Sequence, residues 1–286
     1  MCVIGIIYFE RNVLLDYLTP VEYASFMEKK LVAIPLLSIS EFQEFLLLDS
    51  TTETVEGELV YPPQLDDLYS LYTKVRDNNV VAILEFGSGW STLALAKALD
   101  ENRLSHQIYV RENIRHPNPF SLMTVDVSEK FQAIALNRIP SDLKETKIFP
   151  VTTQSHMATV NSQICHLYDF LPPFTADFIY LDGPDCDQVG GDVNGFSVNF
   201  GSDSYSYGLP MAADLILMEP YFWPGTLIMI DGRGANANFL KNNFRRNWLY
   251  DFNKDLDQHS FQLVEEPVGR ISESLLTHKK TRVELI

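Results

Sequence analysis

A doubly wound α/β fold, its sheet mostly parallel and closed by an antiparallel strand, is predicted by three observations. Short continuous apolar runs recur at residues 80–84, 178–181 and 226–230, the pattern of strands buried on both faces of a parallel sheet. Each run ends in a carboxylate: Glu85, Asp182 and Asp231. Segments with helical periodicity separate the runs, as alternating strands and helices require.

The elements follow in order. Residues 1–60 read as an N-terminal extension to which the sequence assigns no role. Within it, residues 3–9 form an apolar run cut short by Glu10 and Arg11. That run is too brief to span a bilayer and lacks the basic flank of a signal peptide, so it reads as a buried strand. Residues 14–29 read as a helix broken at Pro20, residues 39–48 as a second helix, and residues 55–61 as a short strand. Pro62 and Pro63 then punctuate the chain, and residues 61–286 read as one domain.

In that domain, residues 64–76 are an amphipathic helix with Leu65, Leu68, Leu71, Tyr72 and Val75 on one side. The run at 80–84 is the first strand. The Ala- and Leu-rich stretch 91–99 is a helix, with Ser91 or Thr92 placed to cap it. Residues 107–120, containing His116-Pro117-Asn118-Pro119, read as an inserted loop. Residues 122–125 form a strand ending in Asp126, followed by a helix at 129–136. Further strands are read at 147–151 and 164–168, then at 178–181. Residues 183–210 form a long polar loop with Gly190-Gly191 and Asn194-Gly195; a loop of that length in a compact domain usually serves function. A helix at 211–221, the strand at 226–230 and a helix at 237–248 follow. Closing strands are read at 260–264 and 271–276.

Charge narrows the partners. The formal net charge is −16, which repels phosphate backbones and anionic lipid and argues against a nucleic-acid or membrane partner. Lys241, Arg245 and Arg246 form the one dense basic cluster and read as a solvated helix face. The three cysteines make an odd count without a Cys-x-x-Cys pair, which fits a reduced, cytoplasmic setting. A small-molecule partner is expected, and a homo-oligomer is left open.

The chemistry lies in the turn after the first strand. Gly87 and Gly89 allow backbone angles and close approaches denied to other residues. The helix behind them offers free N–H groups that favour a carboxylate or phosphate. Glu85 repels a pyrophosphate but attracts an ammonium group. Thr92 stands where a dinucleotide loop of the Gly-x-Gly-x-x-Gly form has its third glycine. Both details disfavour an NAD-dependent oxidoreductase, the less favoured of two alternatives. A non-catalytic nucleotide-binding or assembly protein with the same fold is the leading alternative.

Residues 83–92, Ile-Leu-Glu-Phe-Gly-Ser-Gly-Trp-Ser-Thr, resemble the first motif of the class I S-adenosylmethionine-dependent methyltransferases, with Ser91 where many members have another glycine. Residues 178–185, ending Leu-Asp-Gly-Pro-Asp, resemble the family's fourth motif. Residues 224–231, Pro-Gly-Thr-Leu-Ile-Met-Ile-Asp, resemble its fifth strand and the turn before it. The resemblance covers about residues 64–250 and points to small-molecule or sugar O-methyltransferases. It implies a Rossmann-like methyltransferase sheet and S-adenosyl-L-methionine as cofactor. The implied cofactor-binding residues are Glu85, Gly87, Ser88, Gly89, Ser91, Thr92, Asp126 and Asp182. Asp126 would hold the ribose hydroxyls. It lies further along than the roughly 20 residues usual for that role; an insertion at 107–120 would explain the difference, and Glu129 is the rival for the role. Ser155, His156 and Met157 are candidates for the adenine side.

Methyl transfer to a hydroxyl needs alignment and removal of a proton. Asp182 is expected to support deprotonation, with Asp231 and Arg233 shaping the acceptor site. His156 and His166 read as structural. Asp182 and Asp231 with Asn236 or Asn238 would also offer oxygen ligands to Mg²⁺, but the chain lacks a compact metal signature and a divalent metal is the less favoured variant. The 183–210 loop, with Tyr205 and Tyr207, is expected to cover a small acceptor.

Overall fold

The computed structural model describes residues 34–47, 63–198 and 211–280. The expected strands at 3–9 and 55–61 and the helix at 14–29 lie outside those residues, as does the second half of the 183–210 loop with Tyr205 and Tyr207. The first described helix, α1 (Ile39–Leu47), packs Phe42 against Tyr69 and Tyr72 of α2 (Leu65–Asp77). Residues of the N-terminal stretch thus join the core of the domain.

Seven strands form the main sheet. In chain order they are β1 (Ala82–Phe86), β2 (Ser121–Asp126), β3 (Lys147–Thr152), β6 (Phe178–Leu181), β8 (Leu227–Asp231), β9 (Trp248–Asn253) and β10 (Gln258–Leu263). Their spatial order is β3-β2-β1-β6-β8-β10-β9. The first five are mutually parallel, while β10 runs antiparallel to both β8 and β9. This is the α/β, mostly parallel sheet with an antiparallel closing strand that the sequence predicts. The chain winds outward from β1 to β3, then returns to build β6 and β8 on the other side of β1. A crevice opens where the winding reverses, at the carboxyl ends of β1 and β6.

Helices cover both faces. On one side α2 and α3 (Trp90–Tyr109) bury Leu71, Val75, Leu95 and Leu99 against Ile83 and Leu122. On the other, α5 (Asp214–Met218) and α6 (Gly234–Asn243) bury Leu215, Ala237 and Leu240 against Leu84, Ile179 and Ile228. α4 (Glu129–Asn137) follows β2 and is capped by Ser128, whose Oγ accepts from Phe131 N at 3.2 Å.

Several expectations are corrected. Residues 107–120 are not simply a loop: α3 runs on to Tyr109 and passes into a single π-helical turn, Val110–Ile114, with Val110 and Ile114 buried. Residues 271–276 are not a strand. They belong to helix α7 (Arg270–Lys280), which buries Ser272, Leu275 and His278 at helical spacing and places Lys279 and Lys280 where the helix dipole favours cations. The helix read at 237–248 stops at Asn243 because Glu219 takes the next backbone groups, accepting from Arg245 N and Arg246 N, both at 2.9 Å. Trp248 instead begins β9. Arg246 is therefore no part of a solvated helix face: it pairs with Glu265 and donates to the carbonyls of Glu219 and Phe222. The helix read at 211–221 shrinks to α5 and a short 3-10 turn, because residues 211–213 run alongside a strand. His166 N donates to Met211 O at 3.0 Å and Ala213 N to His166 O at 3.1 Å.

A second, three-stranded sheet holds β4 (Ser155–Val160), β5 (Gln163–Tyr168) and β7 (Val189–Gly190) in the order β5-β4-β7. β4 and β5 form a hairpin closed by Asn161 and Ser162, at φ 51° and 63°. Two successive positive φ values suit the right-handed twist of a hairpin, and Asn is at home there.

One buried carboxylate sits between these layers. Asp214 is 6% exposed; its Oδ1 accepts from Tyr168 N at 3.2 Å and its Oδ2 has no partner. Burial pushes it up to about 7. The folded chain therefore penalises the ionised form. The stability tied to this group is full below the ordinary value of 3.8 and is lost as pH rises through about 7. Asp214→Asn is expected to raise stability at pH 8 by about 1–2 kcal/mol, the relief of ionisation being partly offset by an unpaired amide. Thermal melts of both proteins at pH 6 and pH 8 check this. A variant that melts lower at pH 8 would refute it.

Candidate functional site

The crevice at the sheet's reversal point is a cleft of about 520 Å³. Its floor is the turn from β1 into α3. Gly87 holds φ 93°, a conformation open to glycine. A side chain there would also strike backbone, because its Cβ would lie 3.0 Å from Asp182 O and 3.2 Å from Gly183 N. The relation is mutual, since a Cβ on Gly183 would come within 2.8 Å of Gly87 Cα. The turns after β1 and β6 thus pack backbone on backbone. Gly89 differs: a Cβ there meets nothing closer than Ser91 Oγ at 3.9 Å.

Glu85 lies beneath this floor. It is fully buried, and its two oxygens accept from Ser91 Oγ at 2.7 Å and Thr92 Oγ1 at 2.8 Å. Gly89 N in turn donates to Thr92 Oγ1 at 3.1 Å. Burial raises Glu85 to about 7, against the lowering effect of these hydroxyls. Glu85 and Thr92, expected to touch the cofactor, instead fasten the glycine turn to the first turn of α3. Ser91 both donates to Glu85 and lines the cleft. The N-cap residue is Gly89 rather than Ser91 or Thr92, but Thr92 serves the cap from the third helical position, its hydroxyl accepting from Gly89 N.

Asp126, at the end of β2, lines the cleft next to that turn. Its Oδ2 accepts from Ser88 N at 2.7 Å and its Oδ1 from Ser128 N at 2.8 Å. A carboxylate has about four acceptor sites, so these bonds fix its orientation and leave capacity facing the cleft. Burial raises its pKa, and the backbone N–H bonds oppose the rise.

Asp182 and Asp231 emerge at the ends of neighbouring strands β6 and β8, and both line the cleft. The Asp182 side chain stays 48% exposed although it stands deep among the cleft walls. Desolvation there raises it to about 6, opposed by the positive charge of Arg233. Asp231 Oδ2 accepts from Tyr180 Oη at 3.2 Å. Burial, followed by the charges of Asp182 and Asp67, lifts Asp231 to about 7.

Arg233 does not line the cleft. It clamps the loop after β6: Nη1 donates to Pro184 O, and Nη2 to Asp182 O and Asp185 Oδ1, all at 2.9 Å. It is a positioning residue for Asp182, where the sequence suggested a shaper of the acceptor site. Asn236 is likewise committed elsewhere, its amide exchanging bonds with Ala212 N and O, and Asn238 is exposed on α6. Among the described residues, no group of three or more His, Cys, Asp or Glu side chains converges as a metal site.

Ser155, His156 and Met157, the adenine-side candidates, belong to β4 in the second sheet and do not line the cleft. His156 pairs with Asp169 at 2.6 Å on the surface. His166 is buried beside Ser155 Oγ at 3.1 Å, and burial lowers it to about 4. Neither histidine can act on a molecule in the cleft.

The structure adds residues that sequence reasoning missed. Trp90, Phe131 and Ile134 give the cleft an apolar wall, and Arg138 adds a guanidinium to it, 4.1 Å from the Trp90 ring centroid. The i, i+3, i+7 spacing of Phe131 and Ile134 on α4 and Arg138 at its C-cap is the available signal. Tyr168, Tyr180, Asp67 and Asp257 line the cleft as well. Their separation in sequence from the strand ends hid them. Among the described residues, no helix is long and apolar enough to cross a membrane.

No family model and no curated protein matches this chain. Among solved structures, an O-methyltransferase from Bacillus cereus in complex with S-adenosylhomocysteine aligns with a TM-score of 0.40 and 16% identity, over 82% of this chain and 94% of that one. An S-adenosylhomocysteine-bound methyltransferase from Podospora anserina aligns with a TM-score of 0.42 and 13% identity, over 85% and 94%. A methyltransferase from Geobacter sulfurreducens aligns with a TM-score of 0.40 and 10% identity, over 82% and 100%. Likenesses this distant carry no weight for function, which has to be read from the site.

Proposed function

We propose that the chain is a class I S-adenosylmethionine-dependent methyltransferase acting on a hydroxyl of a small molecule, with sugars the first acceptor class to try. The observation that carries this reading is the cleft floor. There a side-chain-free turn at Gly87 opens onto Asp126 at one strand end and Asp182 at another.

The residues present suit such a cofactor. The Gly87–Ser91 turn leaves room for a ligand against the backbone and puts the start of α3, with its free N–H groups, beside it. Asp126 keeps acceptor capacity for a pair of hydroxyls. Trp90, Phe131 and Ile134 offer an apolar wall for a flat ring. When bound, S-adenosylmethionine supplies an electrophilic methyl group on a sulfonium.

The chain's own part is proton handling and alignment. Asp182, with its pKa near 6, is ionised at neutral pH and close enough to the working pH to accept the acceptor's hydroxyl proton efficiently. Arg233 holds the loop that carries it. Asp231, tied to Tyr180, faces the same space from the next strand.

Calorimetric titration of the purified protein with S-adenosylmethionine and S-adenosylhomocysteine, with NAD as control, tests the reading. Saturable binding of the first two without NAD supports it. No binding of either by demonstrably folded protein, or preferential binding of NAD, would replace it with a nucleotide-binding or non-catalytic role.

A further inference from the structure

Arg138 is the one basic side chain among the described residues that line the cleft. It is the C-cap of α4, where the carbonyl end of the helix favours a cation. Its guanidinium lies over the Trp90 ring, 4.1 Å from the centroid. The other half-buried arginines among the described residues, Arg76, Arg103, Arg233 and Arg246, each pair with a carboxylate. Arg138 has no carboxylate within ion-pair distance and no acceptor for its side-chain N–H groups among the described residues. Burial alone pushes its pKa down, with no carboxylate holding it up. The chain has 38 acidic residues against 22 basic ones, so the missing partner is not a matter of supply. A guanidinium stays charged in a protein, and a desolvated charge without a partner is costly.

Two further features at the same place favour a negative group. Trp90 is the first residue of α3. Arg138 therefore stands beside the end of a helix whose first-turn N–H groups lack carbonyl partners. Gly89, the residue before it, leaves room: a Cβ there would meet nothing closer than Ser91 Oγ at 3.9 Å. Phe131 and Ile134 on α4 line the same cleft with apolar surface. A planar guanidinium held on an indole keeps its N–H fork ordered, and that fork matches the paired oxygens of a carboxylate or phosphate.

We infer that Arg138 is the anion-recognition residue of this cleft: held by Trp90 beside the start of α3, it takes a carboxylate or phosphate of the bound small molecule. The oxyanion has two possible sources, the amino-acid end of S-adenosylmethionine and an acidic group on the acceptor. The choice of probes rests on the methyltransferase reading above; the charge of the ligand does not.

The test compares the full chain with Arg138→Met, which keeps an unbranched stem over Trp90. Arg138→Gln, polar but uncharged, is measured alongside so that the result does not hang on one replacement, and thermal melts confirm folding. S-adenosylhomocysteine and its decarboxylated form, which retains the amine, are titrated by calorimetry. Where the cofactor supplies the anion, both substitutions weaken S-adenosylhomocysteine at least about 10-fold, the worth of a charge-assisted contact, and the decarboxylated form by no more than a few-fold. Where the acceptor supplies it, both cofactor forms bind as in the parent. Parent saturated with S-adenosylhomocysteine then binds benzoate or phenyl phosphate at least about 10-fold more tightly than benzyl alcohol, and the variants lose that preference. Either pattern supports the inference. Equal weakening of both cofactor forms with no anion preference makes Arg138 a packing residue and overturns it, as does unchanged binding throughout. Failure of the parent to bind S-adenosylhomocysteine defeats the methyltransferase reading alone: the benzoate and phenyl phosphate titrations are then run on the free protein and decide the role of Arg138 by themselves.

Discussion

Gly87→Arg is expected to weaken S-adenosylhomocysteine binding more than 100-fold, a loss of at least about 2.7 kcal/mol. Two effects add. Arginine at φ 93° adopts a left-handed conformation that costs roughly 1–2 kcal/mol. Its Cβ also meets the backbone of Asp182 and Gly183, which cannot swing aside as a side chain would. The floor must therefore separate from the loop after β6, and the long side chain fills the space left. Calorimetry measures the loss, and circular dichroism with a thermal melt confirms that the variant is folded. Gly89→Ala is the companion for stability: its Cβ meets open space and its extended φ of −169° suits any residue, so its melting temperature should stay near that of the parent. Parental affinity in Gly87→Arg would show that the cofactor, if bound at all, lies elsewhere.

Asp182→Asn is expected to lower kcat by roughly 10²–10⁴, the range of a lost general base. Affinity for S-adenosylhomocysteine should stay within a few-fold. The substitution leaves the Arg233 clamp largely intact, because that clamp grips the Asp182 and Pro184 carbonyls and the Asp185 carboxylate. The pH profile separates a base from a structural part. Asp182 must be ionised to take a proton, so parental kcat should rise as pH climbs through about 6. The variant should lose that limb. Steady-state assays on the first acceptor found would decide it, and an unchanged profile in Asp182→Asn would move the base to Asp231.

The central sheet was legible because β1, β6 and β8 are buried on both faces and so carry uninterrupted apolar residues. Their terminal carboxylates stood out for the same reason, being the first polar groups after each run. Peripheral elements gave weaker signals. β9 spaces Trp248, Tyr250 and Phe252 two apart, but Leu249 breaks the alternation and the strand is an exposed edge, so its start reads equally as the tail of a helix. Residues 271–276 contain two adjacent leucines that suit a strand as well as a helix, and only packing of Leu275 and His278 on the domain decides the matter. In the site, the sequence named the glycine turn and the strand-end aspartates. It could not show that Glu85 is spent on Ser91 and Thr92, since all three look equally available until the turn is folded. Nor could it place Asp67 and Asp257, whose part in the cleft depends on contacts across the whole chain.

Asp177 stands just before β6, 1% exposed, where it accepts from Val81 N at 3.0 Å and Ala82 N at 2.6 Å and pairs with Lys279 Nζ at 2.8 Å. The carboxylate pins the entry to the strand that ends in the glycine turn, and its counter-charge lies on α7, 102 residues further along. Stranding one member of such a buried pair costs about 3–5 kcal/mol. The last described helix thus holds, through one charge, the start of the strand whose other end opens into the cleft.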